Sequence, residues 1–161
     1  MEQAAAYAIR CAFDKGLSIA TAESLTGGSV AAAMVSVPGA SAVFEGSVVA
    51  YSHSVKRAVL GVAPGLLEQR GAVDARVAEA MADGARQALG VDVAVSTTGV
   101  AGPQSHDGMP VGAVFVGLSG PAGTTSVQLN LSGTRSEIRA ASTEAALREL
   151  AAYCRFSDYS Q

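Results

Sequence analysis

Cations are scarce in this chain: 11 Lys and Arg stand against 14 Asp and Glu, giving a net charge of −3 and a pI of about 5.3. Binding a nucleic-acid backbone relies on clustered cations, and no basic stripe is present, so nucleic acid is excluded as a partner. Cysteine is scarcer still. Cys11 and Cys154 lie near opposite ends of the chain, which is neither a metal spacing nor a disulfide framework, and they read as idle thiols. No apolar run reaches transmembrane length, and Met1 to Ala8 includes Glu2 and lacks the basic start and apolar core of a signal peptide. No membrane contact is expected, and the location is read as cytoplasmic. No Cys/His/carboxylate cluster has ligand spacing, no Gly-Lys-Ser/Thr follows a glycine loop, and no Gly-x-Gly-x-x-Gly opens a helix. The expectation is a globule with no required metal and no cofactor.

Small apolar residues are what the chain has in abundance. Hydrophobic residues make up 49% of the 161, largely Ala and Val, interrupted by 18 glycines. A chain of this length fits one domain that buries roughly 68–70% of its unfolded surface. The reading is a single domain over 1–154 followed by a polar tail, 155–161. Helical spacing over 3–15 ends at Gly16, and Leu17 to Ala22 reads as the first strand. Ser29 to Val37 is apolar nearly all round, as for a buried helix, and Val43 to Tyr51 is the second strand. Ser52 or Ser54 can cap a short helix whose apolar face is Val55, Ala58, Val59 and Val62, before a break at Pro64-Gly65. Asp74 introduces a long helix stopped by Gly90. Val91 to Thr97, Val111 to Leu118 and Thr125 to Leu131 are strands three to five, and a last helix runs from Gly133-Thr134 to about Tyr153.

The first three strands alternate with helices and can run parallel, whereas strands three, four and five are joined without helices. The sheet is therefore mixed, with strand four reversed. The carboxyl ends of strands one, two, three and five then share one edge, where open α/β sheets bind ligands. At that edge lie Ser24 to Gly28, Tyr51 to Lys56, Thr98 to Gly102 and Gly133 to Arg139.

Thr21-Ala22-Glu23-Ser24-Leu25-Thr26-Gly27-Gly28 reads as strand, tight turn and helix start, a place for a nucleophile, an anion, or both. Ser24 is the candidate nucleophile, and a serine needs a neighbour to take its proton. His53 and His106 lack an orienting carboxylate that the sequence reveals. Lys56, partly desolvated, is the other candidate base, with Tyr51 beside it. The Gly27 and Gly28 amides suit an oxyanion. Arg135 and Arg139, one helical turn apart, could clamp a phosphate or could form a solvated face. The Gly99-Val100-Ala101-Gly102-Pro103 loop permits close approach of a nucleotide or is a plain connector.

These residues, with Gly71-Ala72-Val73, Pro110-Val111-Gly112 and Gly133-Thr134-Arg135, resemble in order and spacing the CinA C-terminal domain family from about Leu17 to Leu150. The resemblance implies a three-layer α/β/α sandwich on a five-stranded mixed sheet with strand four antiparallel. It also implies nicotinamide mononucleotide amidohydrolase activity by a Ser/Lys mechanism, releasing nicotinic acid mononucleotide and ammonia. The family's serine and lysine fall on Ser24 and Lys56, and its tyrosine on Tyr51. Substrate contacts are expected from Thr26, Gly27, Gly28, Thr98, Gly99, Ala101, Gly102, Arg135 and Arg139. Homo-oligomers are common in the family, and the chain reads as its stand-alone form. A non-catalytic nucleotide-binding module of the same fold is the alternative. Two departures stand out: the family's further glycines and Glu-Lys are replaced by Gln104-Ser105-His106-Asp107-Gly108-Met109, and its asparagine after Tyr51-Ser52 by His53.

Overall fold

The computed structural model describes residues 1–156. In chain order the elements are α1 (Glu2–Lys15), β1 (Ile19–Glu23), α2 (Ser29–Val35), a single 3-10 turn (Ala40–Ala42), β2 (Phe44–Val49), α3 (His53–Ala58), α4 (Pro64–Arg70), α5 (Ala75–Leu89), β3 (Val93–Gly99), β4 (Ala113–Gly120), β5 (Gly123–Asn130) and α6 (Arg135–Phe156). The five strands form one sheet in the order β2-β1-β3-β4-β5. β1 pairs in parallel with β2 and β3, and β4 runs antiparallel to both β3 and β5. Strand four is therefore the reversed one, as the connections required.

Successive side chains of a strand point to opposite faces, and β1 divides its residues accordingly. Ile19 packs with α1, α2 and α6 in one core, whereas Ala20 and Ala22 pack with α4 and α5 in the other. β3 repeats the division: Val93 and Val95 join the first core and Ala94 the second. Helices on both faces of the sheet give the three layers. The central strands are buried along their length, while β2 and β5 form the half-exposed edges. The second and third residues of the alternation on the α2 side are polar: Thr21 and then Glu23 follow Ile19, and both are fully buried.

Local signals explain most helix ends. Asp74 caps α5 by accepting from Arg76 N at 2.8 Å, and Gly90 closes it in a left-handed conformation. Thr134 and Glu137 form a reciprocal capping box, which starts α6 at Arg135. Three expectations are corrected. Pro64 begins α4 rather than merely breaking the chain, because a proline ring suits the first helical position. α2 is not buried all round: only Val30 and Met34 are covered, and Val35 is 68% exposed. α3, capped by Ser52, leaves Ala58 and Val59 exposed and buries Lys56 alone. At the other end α6 continues through Arg155 and Phe156, two residues into the expected tail, and 157–161 lie outside the described residues. No helix among the described residues is long and apolar enough to cross a membrane.

Candidate active site

Ser24 is the first residue after β1, and its amide still bonds Thr97 O of β3 at 2.9 Å, so the sheet itself fixes its backbone. The chain then turns sharply through Gly27 and Gly28, both at positive φ, into α2. Glu23 holds that turn from below. Its buried carboxylate accepts from Gly28 N (2.8 Å), Val30 N (3.1 Å), Ala31 N (2.8 Å) and Thr26 Oγ1 (2.7 Å). A carboxylate is favoured beside the unpaired amides of a helix start, which explains a fully buried acid here.

Lys56 reaches the same point from α3. Its Nζ lies 2.9 Å from Ser24 Oγ, 2.7 Å from Ala50 O and 3.2 Å from Tyr51 O, and the residue is 0% exposed. Burial lowers its pKa from 10.5 to about 8, the Asp107 carboxylate opposing that fall. The geometry decides what the neutral amine does. It keeps two N–H donors, which the two carbonyls accept, and its one lone pair is left facing the Ser24 hydroxyl. Ser24 then donates to Lys56, the arrangement in which an amine can take a proton.

A cavity of about 530 Å³ opens over this pair, a volume typical of small-ligand sites. Tyr51, Thr98, Gly99, Ala101, Gly102 and Arg135 line it, together with His53 and His106. Arg135 donates to Gly102 O at 2.7 Å and stands 3.5 Å from the Tyr51 hydroxyl, so the start of α6 is joined to the loop after β3. Tyr51 touches Lys56 through its carbonyl, and its side chain is largely exposed.

Thr26, Gly27, Gly28 and Arg139 stand outside the cavity lining. Thr26 is buried between Glu23 and Thr97. The Gly28 amide is taken by Glu23 and the Gly27 amide by Ser24 O at 3.2 Å, so neither is available to an oxyanion. Arg139 donates to Leu25 O and Thr26 O, both at 2.9 Å, and braces the turn from outside. The Leu25 amide, next to the nucleophile, has no hydrogen-bond partner among the described residues. Glu23 and Asp107 carry roles that the sequence reading did not assign. A buried acid one position before the serine was visible in the motif, but nothing marked it as buried. The two cysteines are buried away from the site, and burial, then Cys11, pushes the Cys154 thiol up to about 12. No group of three metal-ligating side chains is assembled among the described residues.

Residues 1–154 match the model of the CinA C-terminal domain family. The chain belongs to that family. A CinA-like protein of Frankia casuarinae is 47% identical over 133 residues, covering 83% of this chain and 31% of the relative. A putative competence-damage inducible protein of Desulforamulus reducens is 46% identical over 135 residues, 84% of this chain and 33% of the relative. The chain thus spans about a third of these curated relatives' length. Among solved structures, the competence/damage inducible protein CihA of Agrobacterium tumefaciens superposes with a TM-score of 0.89 at 36% identity, over 94% of this chain and 93% of that one. The competence damage-inducible protein A (ComA) of Klebsiella pneumoniae superposes with a TM-score of 0.93 at 28% identity, over 98% of each chain.

Proposed function

We propose that this CinA-family domain is an amidohydrolase that converts nicotinamide mononucleotide to nicotinic acid mononucleotide and ammonia. The observation that carries the proposal is the buried Lys56 amine, 2.9 Å from Ser24 Oγ and within hydrogen-bond distance of two backbone carbonyls that take its N–H donors when it is neutral. An amine with a pKa of about 8 is neutral in about a tenth of molecules at pH 7, against fewer than about one in a thousand for an ordinary lysine, and can act as a general base.

Ser24 Oγ attacks the carboxamide carbon while its proton passes to Lys56 Nζ. The carbonyl oxygen becomes an oxyanion, for which the unpartnered Leu25 amide is the candidate donor. Lys56, now an ammonium, protonates the departing nitrogen, and ammonia leaves an acyl ester on Ser24. Water then attacks that ester with Lys56 again accepting the proton; Lys56 returns it to Ser24 Oγ as the acyl C–O bond breaks, and the acid product ionises and departs as the carboxylate. Arg135 and the loop from Thr98 to Gly102 hold the ribose phosphate, and Tyr51 closes the side of the cavity next to Arg135.

The direct test is ammonia release from nicotinamide mononucleotide. Wild-type protein is expected to release it, and Ser24→Ala and Lys56→Met to reduce release by at least about a thousandfold, the scale of losing a nucleophile or its base. Release that survives in either folded variant removes that residue from the mechanism. Saturable nucleotide binding without turnover at any pH would instead mark a binding module.

A further inference from the structure

The segment from Gln104 to Met109 closes on itself, His106 N bonding Met109 O at 3.1 Å and Met109 N bonding His106 O at 2.9 Å. At its tip Asp107 has φ of 50°, a left-handed conformation that costs a non-glycine residue about 1–2 kcal/mol and persists where the surroundings impose it. The surroundings here are specific. Ala72 N donates to Asp107 Oδ2 at 2.7 Å, and Ala72 O accepts from the buried Thr98 hydroxyl at 2.6 Å, tying the tip to the end of β3. Gly71, at φ of 72°, lies against the same carboxylate, and a Cβ there would stand 2.7 Å from the Asp107 Cβ. Asp107 is therefore held by its own hairpin and by the Gly71-Ala72 segment.

Two imidazoles from different segments converge on it. His53 Nε2 is 3.8 Å from Asp107 Oδ2, and His106 Nε2 is 3.6 Å from Asp107 Oδ1. Both imidazoles line the cavity, whereas Asp107 does not. A carboxylate facing one ring nitrogen orients the ring and leaves the other nitrogen turned away from it; a phosphate oxygen there is bonded by the imidazolium form, which carries an N–H on both nitrogens. The other ionisable side chains of the lining are Lys56, Arg135 and the Tyr51 phenol, and among the described residues no Asp or Glu lines the cavity. A chain of net charge −3 thus opens a pocket whose charged walls are cationic. Lys56 has its donors committed around Ser24, and Arg135 gives one of its own to Gly102 O. A phosphate dianion presents three oxygens, more than the remaining edge of one guanidinium satisfies.

We infer that His53 and His106, braced by Asp107, are specificity-determining residues that read the phosphate of a phosphomonoester substrate, so that the site selects a mononucleotide over the matching nucleoside. The inference rests on the mononucleotide reading for its choice of compounds. Its test is the ratio of kcat/KM for nicotinamide mononucleotide to that for nicotinamide riboside. His53→Ala and His106→Ala are each expected to lower the ratio about tenfold, the scale of one hydrogen bond to a charged group, with riboside turnover kept. Asp107→Ala is expected to lower the ratio as well, since both rings lose their support. A ratio unchanged in both histidine variants overturns the inference. So does an equal loss for both compounds, which is what a merely structural role would give. Should wild-type protein hydrolyse neither compound, the amidase reading fails by itself, and the ratio of the two dissociation constants, measured by calorimetry, takes the place of kcat/KM. Equal affinity for nucleotide and riboside, or no binding of either, then overturns the inference.

Discussion

Raising the pH from 7 to 9 carries the buried Lys56 from mostly ammonium to mostly amine, and the rate should follow. With a pKa of about 8, the neutral fraction is about 9% at pH 7, 50% at pH 8 and 91% at pH 9. Proton abstraction from Ser24 requires the neutral form, because only then does a lone pair face the hydroxyl. The expected kcat for nicotinamide mononucleotide at saturating substrate, from which the phosphate contacts of His53 and His106 drop out, therefore rises about tenfold between pH 7 and 9, along a single ionisation with its midpoint near 8. This window lies above the second ionisation of the substrate phosphate, near pH 6, so the substrate does not titrate within it. The cause of the midpoint is also testable. Burial lowers the lysine's pKa and the Asp107 carboxylate partly restores it, so Asp107→Asn removes the restoring charge and moves the midpoint to lower pH. Initial rates of ammonia release at half-unit steps read both profiles. A flat profile, a midpoint near 10, or an alkaline shift in Asp107→Asn refutes Lys56 as the base in the environment described.

Two further expectations concern stability. Below pH 8 the folded protein holds an ammonium where the unfolded chain would also be protonated, and burying that charge costs about 3 kcal/mol; the cost shrinks above pH 8 and is gone above 10.5. Relative to Lys56→Met, wild-type protein should therefore gain about 2 kcal/mol between pH 7 and pH 9.5 in urea unfolding, and a pH-independent difference would contradict it. Glu23→Gln keeps the shape but removes the charge and puts an NH2 in place of one oxygen, so that at the least the Ala31 amide loses its acceptor while Gly28, Val30 and Thr26 face a neutral carbonyl. It should cost about 2–4 kcal/mol in the same assay and depress kcat, and unchanged stability would show that the charge is dispensable.

The architecture was legible because its signals are local: the glycine stops at Gly16 and Gly90, the Asp74 start, and the absence of helices between β3, β4 and β5. The convergence of Ser24, Tyr51, Lys56, Thr98 to Gly102 and Arg135 on one sheet edge was legible for the same reason, since strand direction fixes where the ends lie. The orientation of α3 was not. Hydrophobicity put Ala58 and Val59 on its buried face, yet both are exposed; Lys56, read as only partly desolvated, is fully covered because the carbonyls of Ala50 and Tyr51 draw it inward, and backbone groups leave no trace in a residue pattern. The anion role expected of Gly27 and Gly28 failed on a similar point. Glu23 occupies the helix start from within the chain, and alternation alone did not say that an acid at that position turns inward. Arg139 likewise has backbone acceptors, Leu25 O and Thr26 O, which spacing with Arg135 could not reveal.

The six residues of α3 bury one side chain, and it is the lysine. Most helices are held to their sheet by an apolar stripe; this one is fastened by a nitrogen bonded to the ends of two strands. The same three contacts that prepare the amine for chemistry therefore also dock the helix that carries it. A side chain at position 56 without those hydrogen bonds leaves α3 to the packing of the half-buried Val55, and loosens the wall that His53 contributes.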